Sequence, residues 1–339
     1  MRVAARTRSF LIMGVTILAL LTLSACRRAP VETPTETPPE PTAAESDTDT
    51  SVPTEMPAAE EPSEEAPAPP VEPAGAERQL LSFTTGDGRS LEGYYYPAAT
   101  LDAPIIVLMH WAPGTMEDWH EIAIWLQNRG SESTSVEEGL DAMVSYSNQA
   151  SEPWNDPTWF PVLPAEVSFA VFTFNFGGRG SSQEGLGQEG LFQDALAALS
   201  AAASLPGVDR NRITAAGASI GADASVNSCQ AFNAMEAAMG TCLGAFSISP
   251  GNYLGRDYGQ IVGLLRSENP PKSVACAAAA GDGNALATCL SGAGPNFTST
   301  AYEGGDHGMR LVRPDLSPNP LTLLLQFLET VYGITLIGT

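Results

Sequence analysis

Five residues, Gly217-Ala218-Ser219-Ile220-Gly221, set a serine between two glycines at a spacing suited to nucleophilic chemistry. The apolar run Ile213 to Ala216 leads straight into them, and a helix-compatible stretch from Ser219 to Ala231 follows. On such a strand–turn–helix elbow the serine takes strained backbone angles and its hydroxyl stands above the sheet edge. Side chains two residues to either side would collide there, so both positions need glycine. In a chain with 32 glycines the five-residue pattern alone is weak. The strand before it, the helix after it and the lead-in Leu205 to Arg212 make it specific. A serine hydroxyl also needs a base, and the base needs a partner to fix its tautomer. The chain has three histidines, His110, His120 and His307. His307 sits in Gly304-Gly305-Asp306-His307-Gly308, a tight loop after the apolar run Thr298 to Tyr302. The plainer reading of that position is a surface histidine in a turn. Gly281-Asp282-Gly283-Asn284, after Val274 to Ala280, offers a carboxylate, with Asp257 in reserve. Asp306 is too close to His307 along the chain to orient its ring.

At these residues the chain resembles the α/β-hydrolase superfamily, most closely its dienelactone-hydrolase-like and acyl-peptidase-like branches. The resemblance covers Arg78 to Thr339 apart from one insertion. It implies the order Ser, acid, His along the chain. Only His307 follows Ser219, so that order assigns Ser219 as nucleophile, Asp282 as acid and His307 as base. It also implies two N–H donors for an oxyanion. One is Ile220, at the start of the helix after the elbow, where the helix dipole helps. The other belongs to the loop His110-Trp111-Ala112-Pro113-Gly114-Thr115. The family commonly has His-Gly-x there and uses the residue after the glycine, which maps to Ala112. Trp111 replaces that glycine, narrows the expected acyl pocket and is itself the other donor candidate. His110 is expected to hold the loop rather than react. Asn175 to Ser182 resembles the family's Gly-x-Gly-x-Ser turn, with Arg179 structural first and substrate-orienting second. A phosphate cradle fits this turn poorly, because no GK[ST] sequence accompanies it. The resemblance implies no metal and no organic cofactor.

These side chains need a scaffold, and the hydrophobic pattern supplies one. Leu80 to Thr85 and Leu91 to Tyr96 flank Gly86-Asp87-Gly88, which predicts a hairpin. Ile105 to Met109, Val167 to Phe174, Ile213 to Ala216, Leu243 to Ile248, Val274 to Ala280 and Thr298 to Tyr302 are short apolar runs. That is the pattern of strands buried on both faces of a parallel sheet. Helical patterns fall at Gly190 to Ser204, Ser219 to Ala231 and Leu321 to Val331. The alternation predicts an α/β fold with a doubly wound, mostly parallel sheet. An insertion from about Met116 to Pro164, after the third core strand, exceeds what one crossover helix needs. It carries Trp119, Trp125, Trp154, Trp159 and Phe160, which fit either a lid over the site or a satellite core.

The N-terminus reads as an address. Arg2, Arg6 and Arg8 precede the apolar run Phe10 to Leu21, and Leu23-Ser24-Ala25-Cys26 resembles a bacterial lipobox. Residues 1–25 are then a signal peptide and Cys26 carries the lipid; the alternative is an uncleaved anchor. Residues 26–77 are dense in Pro, Glu, Thr, Ala and Ser and predict a solvated tether. Residues 78–339 form the expected catalytic domain, lipid-anchored to the bacterial envelope outside the cytoplasm. The net charge of −23 disfavours nucleic acid as a partner. Beyond Cys26, the cysteines are Cys229, Cys242, Cys276 and Cys289. An even number in an exported chain suggests two disulfides in one of three connectivities, the sequential one preferred. The spacing is poor for a metal site.

The sequence therefore predicts a serine hydrolase of carboxylic esters, acting on a small ester or a short peptide. A peptidase of the acyl-peptidase kind, a perhydrolase on the same triad and a non-catalytic surface binding protein stand as alternatives.

Overall fold

From Gln79 to Thr84 half-buried and exposed residues alternate, with Leu81 and Phe83 turned to the core and Leu80 to solvent, and the segment lies at the edge of a sheet. In the computed structural model, which describes residues 73–130, 152–235 and 239–337, this is β1 (Gln79–Thr84). It pairs antiparallel with β2 (Ser90–Tyr96) through the Gly86-Asp87-Gly88 turn. The interior strands are mostly apolar, β5 only from Ile213 onward: β3 (Ala103–Met109), β4 (Ala170–Phe174), β5 (Val208–Ala218), β6 (Cys242–Ile248) and β7 (Ser273–Ala279). They run parallel and are covered on both faces. With β8 (Phe297–Tyr302) they complete an eight-stranded sheet of order β1-β2-β4-β3-β5-β6-β7-β8.

The helices divide between the two faces. On one lie α2 (Gly187–Ala203), α3 (Ile220–Asn233), α4 (Tyr258–Ser267) and α5 (Gly283–Ser291). On the other lie α1 (His120–Gln127) and α6 (Pro320–Tyr332). This is the doubly wound architecture the apolar pattern predicts. Strand β5 starts at Val208, five residues before the expected Ile213, because Ala103 already pairs with Val208 beyond a bulge. Strand β4 starts at Ala170, three residues late, because Val167 N–H turns back to Pro164 and Phe169 N–H bonds Leu126. Helices α4 and α5 have no counterpart in the sequence reading. Both are short and each is started by a side-chain cap, Asp257 on Gln260 N–H and Asp282 on Ala285 N–H.

The disulfides follow the sequential connectivity, Cys229–Cys242 and Cys276–Cys289. The first joins α3 to the start of β6, the second β7 to the end of α5. The expected signal peptide and Cys26 lie outside the described residues, as does most of the tether. Its last residues are engaged, since Gln127 donates to Ala76 O at 2.9 Å and Arg129 to Ala74 O at 2.7 Å.

Residues 131–151 of the insertion lie outside the described part. Of the rest, α1 is the ordinary crossover between β3 and β4, and two single turns cover Pro153–Asn155 and Pro157–Trp159. Trp119, Trp154 and Phe160 are buried in the α1/α6 core, and Trp125 and Trp159 meet Phe160 edge-on. The five described rings thus join the main core on the α1/α6 face of the sheet, and Trp154 also reaches the site described below.

At the start of α1, His120 Nδ1 bonds the Tyr96 hydroxyl at 2.8 Å, with the Arg78 guanidinium beside it. Burial and that cation push the imidazole down to about 4. The unfolded chain therefore takes up a proton near pH 6.5 that the folded chain refuses. This group's share of stability is complete above pH 6.5 and is lost as pH falls toward 4. Between pH 7 and 5, the wild-type protein should lose roughly 2 kcal/mol relative to His120→Gln. Urea titrations of both proteins across that range read the difference directly; parallel pH profiles would contradict a neutral buried imidazole.

Candidate active site

The sheet delivers its loops to one edge, above the C-terminal ends of the parallel strands. Strand β5 ends at Ala218 and α3 starts at Ile220, which leaves Ser219 at the turn with φ 55° and ψ −116°. Such angles are costly for a residue with a side chain. The flanking glycines allow the approach that enforces them. A Cβ on Gly217 would lie 2.2 Å from Gly221 O, and one on Gly221 would lie 2.2 Å from Met109 O. Ser219 N–H is tied to Ile248 O at 2.8 Å, which anchors the elbow to β6.

Two further loops bring polar groups to this serine. His307 Nε2 lies 2.8 Å from Ser219 Oγ, and His307 Nδ1 bonds the Asp282 carboxylate. With Nδ1–H donating to the carboxylate, Nε2 is left free to accept from the serine hydroxyl. The acid loop and the histidine loop are stitched together by Ala280 N–H to Tyr302 O at 2.7 Å and Gly281 N–H to Gly304 O at 2.6 Å. No Cβ fits at Gly281, since it would lie 2.5 Å from Gly304 O. Just beyond His307, Gly308 N–H donates to Ser249 Oγ at 3.1 Å, which fixes the loop from the β6 side.

The remaining candidates separate cleanly. Asp257 caps α4 through Gln260 N–H at 2.8 Å. Asp306 pairs with Arg313 at 3.0 Å. His110 is buried, bonds Trp111 O through Nδ1 at 2.7 Å and accepts Phe176 N–H on Nε2 at 3.1 Å. Burial pushes it down to about 4, so it is a neutral strut for the loop. Arg179 donates to Ala112 O and ties the same loop from outside. Ile220 N–H opens α3; the next two amides that turn back, Ala222 and Asp223, both bond Ser219 O. A helix leaves its first N–H groups without intrahelical partners, so the Ile220 amide suits an anion. The His110–Ala112 loop begins beside it, since His110 O lies 2.8 Å from where a Gly221 Cβ would stand.

Trp111 forms a wall rather than an open loop. Its indole N–H donates to Asp118 at 2.8 Å, its ring lies against Gly308, and it meets Trp154 at right angles, 6.0 Å between centroids. Burial pushes the Asp118 carboxyl up, and the indole donor opposes that shift. Together with Thr115, His307 and Arg310, these residues line a cleft of about 480 Å³. Among the described residues, no group of three or more His, Cys, Asp or Glu side chains is placed to hold a metal ion.

Two residues near the site, Asp223 and Tyr253, have no place in the sequence reading. Trp154, one of the insertion's rings, stands against Trp111. Asp223, one turn into α3, accepts the N–H groups of Gly251, Asn252 and Tyr253 at 3.2, 3.3 and 2.7 Å. Its burial outweighs those donors and pushes it up to about 6. Tyr253 is thereby brought to the site, with its ring perpendicular to that of His307 at 6.0 Å. A carboxylate within the otherwise small and apolar start of α3 was the available signal for this second group.

No protein-family model matches the chain, and no curated protein does. Among solved structures, it is similar to a protein of unknown function from Agrobacterium tumefaciens. The identity is 18% and the TM-score 0.46, with 77% of this chain and 100% of that one covered. It is also similar to an esterase from Pyrococcus furiosus, at 12% identity and a TM-score of 0.47, covering 75% and 92%. An acetyl xylan esterase from Paenibacillus sp. R4 aligns at 14% identity and a TM-score of 0.45, covering 75% and 88%.

The two glycine environments of the site give opposite expectations. Gly221→Ala forces a Cβ into the Met109 carbonyl and should cost about 1–3 kcal/mol. Gly283→Ala, at the first turn of α5 with nothing near its Cβ, should be neutral or stabilise by up to about 1 kcal/mol. Urea midpoints of the two variants would test both; a Gly221→Ala protein as stable as wild type would contradict the close approach.

Proposed function

We propose that this protein is a serine hydrolase that cleaves carboxylic esters through an acyl-enzyme. The reading is carried by one observation, the hydrogen-bonded line from Ser219 Oγ through the His307 ring to Asp282. His307 takes the Ser219 proton as the oxygen attacks the ester carbonyl, and Asp282 holds the ring and stabilises the imidazolium. The oxyanion rests on the Ile220 N–H and on a second amide from the Trp111–Ala112 loop, where Arg179 and His110 keep the backbone in place. His307 then protonates the leaving group, and water repeats the cycle on the acyl-enzyme. The cleft walled by Trp111 and Trp154 receives the acyl group, favouring an apolar or ring-bearing one.

Two disulfides in one domain support a site of action outside the reducing cytoplasm. Lipid attachment at Cys26 is part of the same proposal and rests on the sequence of residues 23–26.

A fluorophosphonate probe should label wild-type protein on Ser219, and Ser219→Ala should lose at least roughly 10³-fold in turnover of an aryl ester. Aryl-ester turnover that survives in Ser219→Ala would sink the assignment. Aminoacyl nitroanilides run beside p-nitrophenyl esters separate ester from amide cleavage; faster nitroanilide turnover would move the protein to the peptidases. The Cys276–Cys289 bridge spans the acid loop, from β7 before Asp282 to the end of α5 after it. Replacing both cysteines by serine should therefore lower kcat as well as stability, the latter by roughly 2–4 kcal/mol. A variant with lowered stability and wild-type kcat would show that the bridge does not position Asp282.

A further inference from the structure

Ser219 has a strained neighbour of its own kind. Among the described residues, six other than glycine have positive φ. Four are Asp102, Asn128, Asn252 and Asn296, residue types that tolerate this region best. The other two are Ser219 and Ser249, both at φ 55°. They stand side by side. β5 and β6 pair in parallel with Ala218 opposite Ile248, so each serine is the first residue past its strand. Each still closes a ladder bond through its N–H, Ser219 to Ile248 O and Ser249 to Ala277 O, both at 2.8 Å. Strain at Ser219 presents a nucleophile. Strain at Ser249 needs its own account, because glycine would adopt the same φ without steric cost.

What glycine lacks is the hydroxyl. Ser249 is fully buried, and its Oγ accepts Gly308 N–H at 3.1 Å. Gly308 opens the single turn Gly308–Leu311, and His307, just before that turn, gives it no side-chain cap. The imidazole is committed to Asp282 and Ser219 instead. The first N–H of the turn is then an orphan donor, and the end of β6 satisfies it from across β7. Gly308 itself is wedged in place. An added Cβ there would lie 2.8 Å from the Trp111 ring and 3.6 Å from Ser219 Cβ.

The consequence falls on the base. The amide that Ser249 holds belongs to the peptide group joining His307 to Gly308. Asp282 fixes the ring at Nδ1, and Ser249 fixes the main chain from which the ring hangs. Between those two anchors, Nε2 stands 2.8 Å from Ser219 Oγ. Because the two serines end adjacent paired strands, one ladder places both the hydroxyl and the strut that aims its base.

We infer that Ser249 is a positioning residue, whose strained backbone is kept because its hydroxyl holds His307 at bonding distance from Ser219. The inference rests on the serine-hydrolase reading above and deepens it. Ser249 takes and gives no proton in the reaction. The Ser219 proton passes to His307 Nε2 and from there to the leaving group. A base shifted by a fraction of an ångström slows acylation and deacylation together, while the cleft that binds the ester is untouched.

Ser249→Gly and Ser249→Ala separate this role from a structural one. Both remove the acceptor, but glycine relieves the backbone and alanine keeps it strained, so the urea midpoint of Ser249→Gly should be the higher. On a p-nitrophenyl ester, kcat should fall about 10- to 100-fold, by the same factor in both variants, with KM within about twofold of wild type. Each kcat is referred to the Ser219 that a fluorophosphonate probe labels at completion, which corrects for misfolded protein. The rate of that labelling should fall with kcat. Wild-type kcat in Ser249→Gly would overturn the inference, as would a loss that tracks stability or appears in KM. Equal urea midpoints would remove the strain and overturn it as well. Ser219→Ala is run in parallel. Turnover retained there would remove the hydrolase reading itself, a failure distinct from that of Ser249, in which Ser219 stays essential.

Discussion

The close backbone approach at the start of α3 is the constraint from which the rest of the site follows. Gly217 and Gly221 lie against one another, and Gly221 lies against the end of β3, at distances that leave no room for a methyl group. Held from both sides, Ser219 has no relaxed alternative to its positive φ. Strain of this kind persists only where the surroundings over-determine it. Here the sheet and helix do so, and the hydroxyl is presented above the strand ends as a consequence. A single added carbon at either glycine would let β5 and α3 part, and the serine would relax into the turn.

Around that fixed point, the other groups are held by backbone rather than by their own side-chain preferences. The Asp282 loop and the His307 loop bond one another through main-chain groups, so the two loops are held as one piece. Ser249, at the end of β6, reaches across to Gly308 and secures the far side of the histidine. The two disulfides belong to the same arrangement. One pins α3, whose N-terminus carries Ser219, and the other pins α5, whose N-terminus carries Asp282. In each case, the helix that begins at a site residue is bound covalently to a neighbouring strand.

Buried charge is used sparingly near the site and always with a purpose in placement. Asp118 orients the Trp111 indole, and Asp223 gathers the turn that presents Tyr253. Both carboxyls are pushed up by burial, which is the cost of removing them from water. Both are paired with N–H donors, which keeps that cost bearable. His110 goes the other way, held neutral so that it can accept one backbone N–H and donate to a carbonyl.

Much of this was legible in the chain itself. Apolar runs of four to eight residues named the interior strands, because a strand covered on both faces must be largely apolar. The Gly-x-Ser-x-Gly spacing marked the elbow, because only glycine survives that contact. The order of residues left His307 as the one histidine after Ser219, and its loop and that of Asp282 could be placed by the strands before them. Local sequence could not show which side chains from separate loops would meet. Tyr253 lies 34 residues beyond Ser219 and comes beside His307 only because β6 neighbours β5 and a buried carboxylate on α3 gathers its turn. Trp154 comes from the far end of the insertion to stand against Trp111. Helices α4 and α5 escaped notice because each is short and its start depends on one capping carboxylate, a weak signal beside strong strand patterns. Residue pattern has a range of a few positions along the chain, so it determined elements and their chemistry-bearing ends; the meeting of those ends across the sheet edge is a matter of strand order, which only the folded chain decided.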